Sequence, residues 1–327
     1  MTMSLSIDDL RAAQLRLQGR VTLTPLIESA ALNALAGTRV LLKAENLQKG
    51  GAFKIRGAFN KILKLIESEP CVGVIAYSSG NHALAVSLAA AELGLPAVVL
   101  MPRDAPTIKI DGARSNGAEV VLYDREHDDR EALCVQLMRA RNLLLVPPYD
   151  DYDVMAGAGT GAIEAIEQLP SSAIIDTVLV CCGGGGLTSG WATAATALLP
   201  GARIHAVEPE GFDDTSRSLA QGERVRNKTL SGTICDALVV PTPGALTFDV
   251  MRSCNVSGTT VSDDEVRAAV RFGFEHLKLV LEPGGAAALA AAMFRRFPAG
   301  ARGVLAILSG GNVDAAVFER SISHVHR

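Results

Sequence analysis

Lys54 lies between Phe53 and Ile55 in KAENLQKGGAFKIRGAFNK (43–61), just after the Gly50-Gly51 break and near the expected start of a helix. A helix N-terminus and apolar neighbours both disfavour a protonated amine. An unprotonated lysine is what Schiff-base chemistry needs. Lys49, Lys61 and Lys64 read instead as surface lysines that bury their stems. From this segment alone, Lys54 fits either role.

Three further segments carry residue types suited to ligand binding. Gly183, Gly184, Gly185 and Gly186 follow an apolar run and open the helical pattern LTSGWATAATAL. Such a loop brings several backbone N–H groups to one anion at the positive end of a helix. The dinucleotide pattern GxGxxG fails: its last position falls on Thr188 or Ser189, or its second on Leu187. Glu208 nonetheless sits near the distance of a ribose-binding acid. A bare flexible turn would lose backbone entropy at four positions, so a phosphate cradle fits better. In YSSGNHALAVS (77–87), Ser79, Gly80, Asn81 and His82 sit where a strand meets a helix. Open α/β sheets bind ligands at such carboxyl ends, although helix capping by Ser79 or Asn81 accounts for the same residues. His82 alone reads as a packed histidine at the helix start. LSGGN (308–312) is a third small-polar loop after a strand pattern. Three such loops suggest one site.

The elements that must hold these loops alternate regularly. RVLLKAE (39–45), GVIAY (73–77), AVVLM (97–101), EVVLY (119–123), NLLLV (142–146), TVLVCC (177–182), RIHAVEP (203–209) and GVLAILS (303–309) read as buried strands. HALAVSLAAAELG (82–94) and GGAAALAAAMFRRF (284–297) read as helices. Strand–helix–strand alternation predicts parallel sheets and an α/β fold. The segment 70–145 holds three tight strand–helix repeats and reads as a small inserted domain. Residues 1–69 and 146–327 form the larger one, re-entered through Pro147-Pro148 and YDDYD.

Composition narrows the function. The 31 Lys+Arg and 35 Asp+Glu give a net charge of −4, against a chain built to neutralise nucleic-acid phosphates. No apolar run reaches the ~18–20 residues that span a bilayer. MTMSLSIDDLRAAQ lacks the basic and apolar regions of a secretory signal. Six cysteines without CxxC spacing point to a reduced, cytoplasmic protein rather than a disulfide framework or zinc site.

In the order GAFKIRGA, SSGNHA, GGGGL, EP and SGGN, the chain resembles the fold-type II pyridoxal-phosphate enzymes of the threonine/serine dehydratase and serine racemase group, over nearly its whole length. The resemblance implies a tryptophan synthase β-like fold: two parallel-sheet α/β domains with pyridoxal 5'-phosphate in the cleft between them. It makes Lys54 the Schiff-base lysine and places Phe53 near the cofactor. It implies that Asn81 bonds the ring 3-hydroxyl and that Ser309 faces the pyridine nitrogen. Gly183, Gly184, Gly185, Gly186 and Leu187 would bind the phosphate. Ser78, Ser79 and Asn81 would hold the substrate carboxylate, and Ser79 would serve the opposite face of Cα, as in racemising relatives.

AVEPEGFDD (206–214) is similar to the divalent-cation loop of serine racemase-like members. The matching ligands are Glu208, the Phe212 carbonyl and Asp214, suited to Mg²⁺, Ca²⁺ or Mn²⁺. A solvated acidic turn would look the same. Arg130 sits near the position from which some relatives reach a second substrate carboxylate, although an exposed helix arginine reads alike. Ala52 replaces the usual serine before Phe-Lys, and Leu84 replaces a common glutamine. The chain ends soon after SGGN, as in the short catabolic members. The expected activity is loss of water and ammonia from a β-hydroxy amino acid: threonine, serine, 3-hydroxyaspartate or phenylserine. The alternatives are a racemase or β-replacement enzyme of the same fold, and a non-catalytic phosphate-ligand binder. By analogy with relatives, a homodimer is expected.

Overall fold

The computed structural model describes residues 4–68, 70–78, 80–124 and 127–323. Among them ten strands form: β1 (Leu26–Glu28), β2 (Arg39–Ala44), β3 (Val74–Tyr77), β4 (Ala97–Pro102), β5 (Glu119–Tyr123), β6 (Leu144–Leu145), β7 (Thr177–Cys181), β8 (Arg203–Pro209), β9 (Ser257–Val261) and β10 (Gly303–Leu308). They make a six-stranded sheet in the order β1-β2-β10-β7-β8-β9 and a four-stranded sheet in the order β5-β4-β3-β6. Only β1 runs antiparallel to its neighbour. The fold is therefore two parallel-sheet α/β domains. The apolar runs of β7, β4 and β10 are buried along their whole length, as strands covered by helices on both faces must be.

Two differences from the sequence reading have local causes. NLLLV shrinks to Leu144–Leu145. Asn142 takes a left-handed conformation (φ 52°) to end the preceding helix, and Pro147-Pro148 then lack the N–H groups that would extend the ladder. The edge strands β1 and β9 were not anticipated. SGTTV carries only one apolar residue, and its burial is slight until Val261, so no hydrophobic pattern announces it.

One large core, centred on Trp191 and the six-stranded sheet, occupies the bigger domain. Two smaller clusters cover the faces of the four-stranded sheet. The helix Lys54–Ser68 joins the two domains. Its Ile55, Ala58, Phe59 and Ile62 pack with Val74, Ala83 and Val86. Its opposite side lies against the helix Tyr152–Glu167, where a Cβ on Gly157 would strike the Arg56 carbonyl and Gly57 Cα. That close approach needs glycine.

Arg56, two residues past Lys54, fixes the start of this helix. Its guanidinium makes paired bonds to Glu45 (2.7 and 2.9 Å) and to Glu164 (2.8 and 2.7 Å), and one to Thr160 Oγ1 (3.1 Å). Lys43 Nζ adds a 3.0 Å bond to Glu164. The two cations and two carboxylates balance, which is the condition for burying them.

Candidate active site

The carboxyl ends of β3, β7 and β10 face one cleft. It is lined by Phe53, Lys54, Ser78, Asn81, Gly183, Gly184, Gly185, Gly186, Leu187 and Ser309, residues from four separate stretches of sequence. Backbone pairing draws two of those stretches together. Ala52 and Gly310 form an isolated antiparallel bridge. Phe53 N donates to Ser309 O at 3.1 Å, and Gly311 N to Gly51 O at 2.9 Å. Lys54 and the Ser309 loop are thus tied by main chain.

Lys54 is the first residue of its helix. Nζ donates to Pro148 O at 2.6 Å and lies 5.3 Å from the centre of the Phe53 ring. Burial pushes the amine down to about 8. His82 Nε2 faces Val146 O at 2.8 Å. A carbonyl only accepts, so Nε2 carries the proton. Burial, then the nearby Lys54 charge, lowers this imidazole to about 3 and keeps it neutral.

The glycine loop turns from β7 into the helix Gly186–Leu198. Gly185, at φ 93°, is its cap and offers no side chain, so the first-turn N–H groups are left to a ligand. Thr247 Oγ1 holds Gly184 O at 2.7 Å. Asp150 caps the neighbouring helix Ala245–Ser253 through the N–H groups of Ala245, Leu246 and Thr247. A Cβ on Gly184 would collide with the Tyr149 ring, and one on Gly186 would touch Tyr149 at 3.0 Å. The cradle admits backbone only, which fits a phosphate group.

Asn81 begins the helix Asn81–Glu92. Its Nδ2 donates to Glu282 Oε1, and its Oδ1 accepts from Asn312 Nδ2 at 3.0 Å. Asn312 also holds Gly50 O at 2.8 Å. Lys109 Nζ donates to the other Glu282 oxygen at 3.1 Å. Ser78 Oγ accepts from Gly80 N at 3.1 Å, shaping the turn before the helix. Ser79 lies outside the described residues. Ser309 is buried, and its N–H bonds Gly285 O at 3.1 Å. Arg130 begins the helix Arg130–Arg141, 5.3 Å from the centre of the Tyr77 ring, and lines the same cleft.

Lys109, Glu282 and Tyr149 carry no role in the sequence pattern, and Asn312 enters there only as the last residue of the LSGGN loop. Glu282 had a signal, because EP followed by a helical run marks a helix start with proline at its first position. Lys109 and Tyr149 had none, since only the tertiary fold brings them here.

Glu208, Phe212 and Asp214 do not line the cleft. Glu208, at the end of β8, accepts from Thr215 N (2.9 Å), Ser216 N (2.7 Å) and Ser216 Oγ (2.7 Å). Asp214 Oδ1 accepts from Asn227 Nδ2 at 2.6 Å. Its buried Oδ2 has no partner among the described residues. Burial pushes Glu208 up to about 8, with Asp214 adding to it, and burial pushes Asp214 up to about 7. No three His, Cys, Asp or Glu side chains among the described residues converge as a metal-binding group.

The model of the family described as "Pyridoxal-phosphate dependent enzyme" matches residues 17–310. The chain belongs to that family. It is 40% identical to the L-threo-3-hydroxyaspartate ammonia-lyase of Saccharomyces cerevisiae, covering 96% of this chain and 95% of the relative. It is 37% identical to the serine racemase of Schizosaccharomyces pombe, covering 97% of each. The structure of maize serine racemase superposes with a TM-score of 0.91 at 37% identity, covering 98% of this chain and 97% of that one. The fold of this pyridoxal-phosphate dependent enzyme is that of fold-type II members. No helix among the described residues is long and apolar enough to cross a membrane.

Proposed function

We propose that the protein catalyses β-elimination from a β-hydroxy amino acid, giving a 2-oxo acid and ammonia. The observation that carries this reading is the Lys54 amine. It is half-buried on a neutral carbonyl, at the carboxyl ends of both sheets, facing an uncapped glycine loop. The similarity to ammonia-lyases supports the same reaction.

Pyridoxal 5'-phosphate fits this cleft. Lys54 would hold its aldehyde carbon, the N–H groups from Gly183 to Leu187 its phosphate, Asn81 its 3-oxygen and Ser309 its ring nitrogen. Phe53 would lie beside it. When bound, the cofactor supplies the electron sink for bond cleavage at the substrate's Cα. The chain supplies position and proton transfer. Ser78, Ser79 and Asn81, the last of which begins a helix, would hold the substrate carboxylate. Lys54, once released and neutral, would take the Cα proton at Nζ. His82, held neutral, adds no cation to compete for that carboxylate.

Substrate choice turns on the cleft wall that carries Arg130. A guanidinium there suits a second carboxylate, so we place 3-hydroxyaspartate ahead of threonine and serine. Relatives named serine racemase support the alternative, with Ser79 as the group on the opposite face of Cα.

The finer assignments belong to the same proposal. Residues 70–145 form the small domain, and 1–69 with 146–327 the large one. A divalent cation would sit at Glu208, the Phe212 carbonyl and Asp214, a reading supported by Asp214 Oδ2, which has no partner among the described residues. The protein works as a homodimer in the cytoplasm, where its six free thiols stay reduced.

The deciding experiment assays a panel of β-hydroxy amino acids for oxo-acid formation and for chiral inversion, in wild type and Lys54→Ala. We expect oxo acid from wild type and none from a folded Lys54→Ala. Inversion without oxo acid would replace the elimination reading by the racemase one. A covalent cofactor–protein adduct persisting in Lys54→Ala would show another lysine to be the anchor.

A further inference from the structure

We propose that Lys109 is a positioning residue: through Glu282 it fastens the four-stranded domain to the six-stranded one and fixes the direction in which the Asn81 amide faces. What Asn81 touches rests on the functional reading above; the fastening rests on geometry alone.

Lys109 belongs to the helix Thr107–Ser115, between β4 and β5 of the four-stranded sheet. Glu282 caps the helix Pro283–Met293, which packs on the six-stranded sheet. The two side chains meet at 3.1 Å and are only 3% and 4% exposed. Neither charge can leave the other without being left unpaired at the cleft wall, where both side chains are almost wholly buried, which is costly. The Glu282 main chain cannot shift to follow Lys109, because its N–H is tied to Gly310 O at 3.2 Å. Opening the domains at this edge therefore requires breaking a buried ion pair. Among the described residues few other polar contacts cross there. Asn81 bonds Glu282 and Asn312, and Ile108 N approaches Asp314 Oδ1 at 3.4 Å.

The same pair sets the amide. An ionised carboxylate only accepts, so Asn81 must present Nδ2 to Glu282. Asn312 Nδ2 must then find Oδ1, as it does. One Nδ2 hydrogen remains for a ligand oxygen in the cleft. Burial raises Glu282 towards the neutral form, and Lys109 is the largest influence against that. A protonated Glu282 would both donate and accept, and the amide would lose its specified direction. Asp236 also lines the cleft beside Lys109 and Glu282, but a second carboxylate cannot replace the ammonium.

Three variants of the full chain, loaded with pyridoxal 5'-phosphate, test this: Lys109→Met, Lys109→Arg and the double variant Lys109→Met/Glu282→Gln. The readouts are thermal melting, small-angle scattering, the absorption spectrum of the bound cofactor and its dissociation constant. Lys109→Met should melt lower, scatter as a more open particle, show an altered cofactor spectrum and bind the cofactor roughly tenfold more weakly. Lys109→Arg should restore all four. The double variant leaves no lone buried charge, so its melting should recover while its scattering, spectrum and affinity stay altered. A double variant like wild type in those three readouts would overturn the proposal, since Lys109 would then only neutralise Glu282. A double variant as unstable as Lys109→Met would also overturn it, by placing the pair in folding. Scattering needs no turnover, so it can fail or succeed independently of the assigned reaction.

Discussion

Lys54 Nζ donates a 2.6 Å hydrogen bond to the carbonyl oxygen of Pro148, two residues beyond the Val146 carbonyl that accepts from His82 Nε2 at 2.8 Å. One short stretch of backbone, stopped as a strand by its prolines, aims both an amine and a neutral imidazole. Pro148 O is a dipole rather than a charge, so it offsets only part of the desolvation of a protonated amine.

That arrangement gives a pH prediction. Burial lowers Lys54 to about 8, so the amine is neutral above that pH and protonated below it. At pH 7 roughly a tenth is unprotonated, against less than a thousandth for a free lysine. Condensation with an aldehyde needs the neutral form. The rate of cofactor capture by the cofactor-free protein should therefore rise with pH through about 8 and level off above. Stopped-flow absorbance after mixing with pyridoxal 5'-phosphate measures it. A rate still climbing at about pH 10 would mean an ordinary, hydrated lysine.

The glycine loop makes a second prediction. A Cβ on Gly184 would collide with the Tyr149 ring, so Gly184→Ala must displace either the ring or the loop. Overpacking of this kind costs about 1–3 kcal/mol. Here the cost falls on the loop that would hold the phosphate, so cofactor affinity should drop by roughly 5- to 150-fold. Fluorescence titration with pyridoxal 5'-phosphate checks this. Unchanged affinity would remove the loop from the cofactor site.

How much of this cleft the sequence discloses depends on how local each signal is. Lys54 and the four glycines stand in runs whose residue types have a chemical reason within a few positions. The central parallel strands β4, β7 and β10 were equally plain, because burial on both faces demands unbroken apolar runs. Lys109 and Glu282 are different. They lie 173 positions apart, and a lone lysine in TIKIDGARS reads as an exposed helix charge until the fold buries it. SGTTV was illegible for the opposite reason: edge pairing supplies the strand, and the sequence shows no hydrophobic face.

A third prediction concerns the acidic loop away from the cleft. If a divalent cation sits on Glu208, the Phe212 carbonyl and Asp214, a chelator should lower the melting temperature of the wild type. Added Mg²⁺, Mn²⁺ or Ca²⁺ should restore it. A ligand at a hundredfold its dissociation constant stabilises by about 2.7 kcal/mol, enough to see by calorimetry. Asp214→Asn replaces the carboxylate whose Oδ2 has no partner among the described residues by a neutral amide, and should be indifferent to both treatments. A wild type equally indifferent would leave Glu208 as no more than the anchor of Thr215 and Ser216.

The proposed preference for 3-hydroxyaspartate rests on Arg130, which lines the cleft. Its guanidinium carbon lies 5.3 Å from the Tyr77 ring centre, and its carboxylate contact is with adjacent Glu131 at 4.0 Å. Stacking on the ring costs the guanidinium none of its five donors. A second substrate carboxylate would find a fork ready to bond it in pairs, whereas a methyl or hydrogen at that position would find nothing to gain. Arg130→Ala should therefore lower kcat/KM for 3-hydroxyaspartate by about 10- to 100-fold, or about 1.4–2.7 kcal/mol, while changing threonine and serine little. Arg130→Lys should recover only part, because an ammonium keeps the charge and loses the paired geometry. The loss should appear mainly in KM if the carboxylate is held equally before and during reaction, and in kcat if it is gripped only as the Cα proton leaves. Equal losses on all substrates would make Arg130 a support for Tyr77 rather than a reader of the substrate.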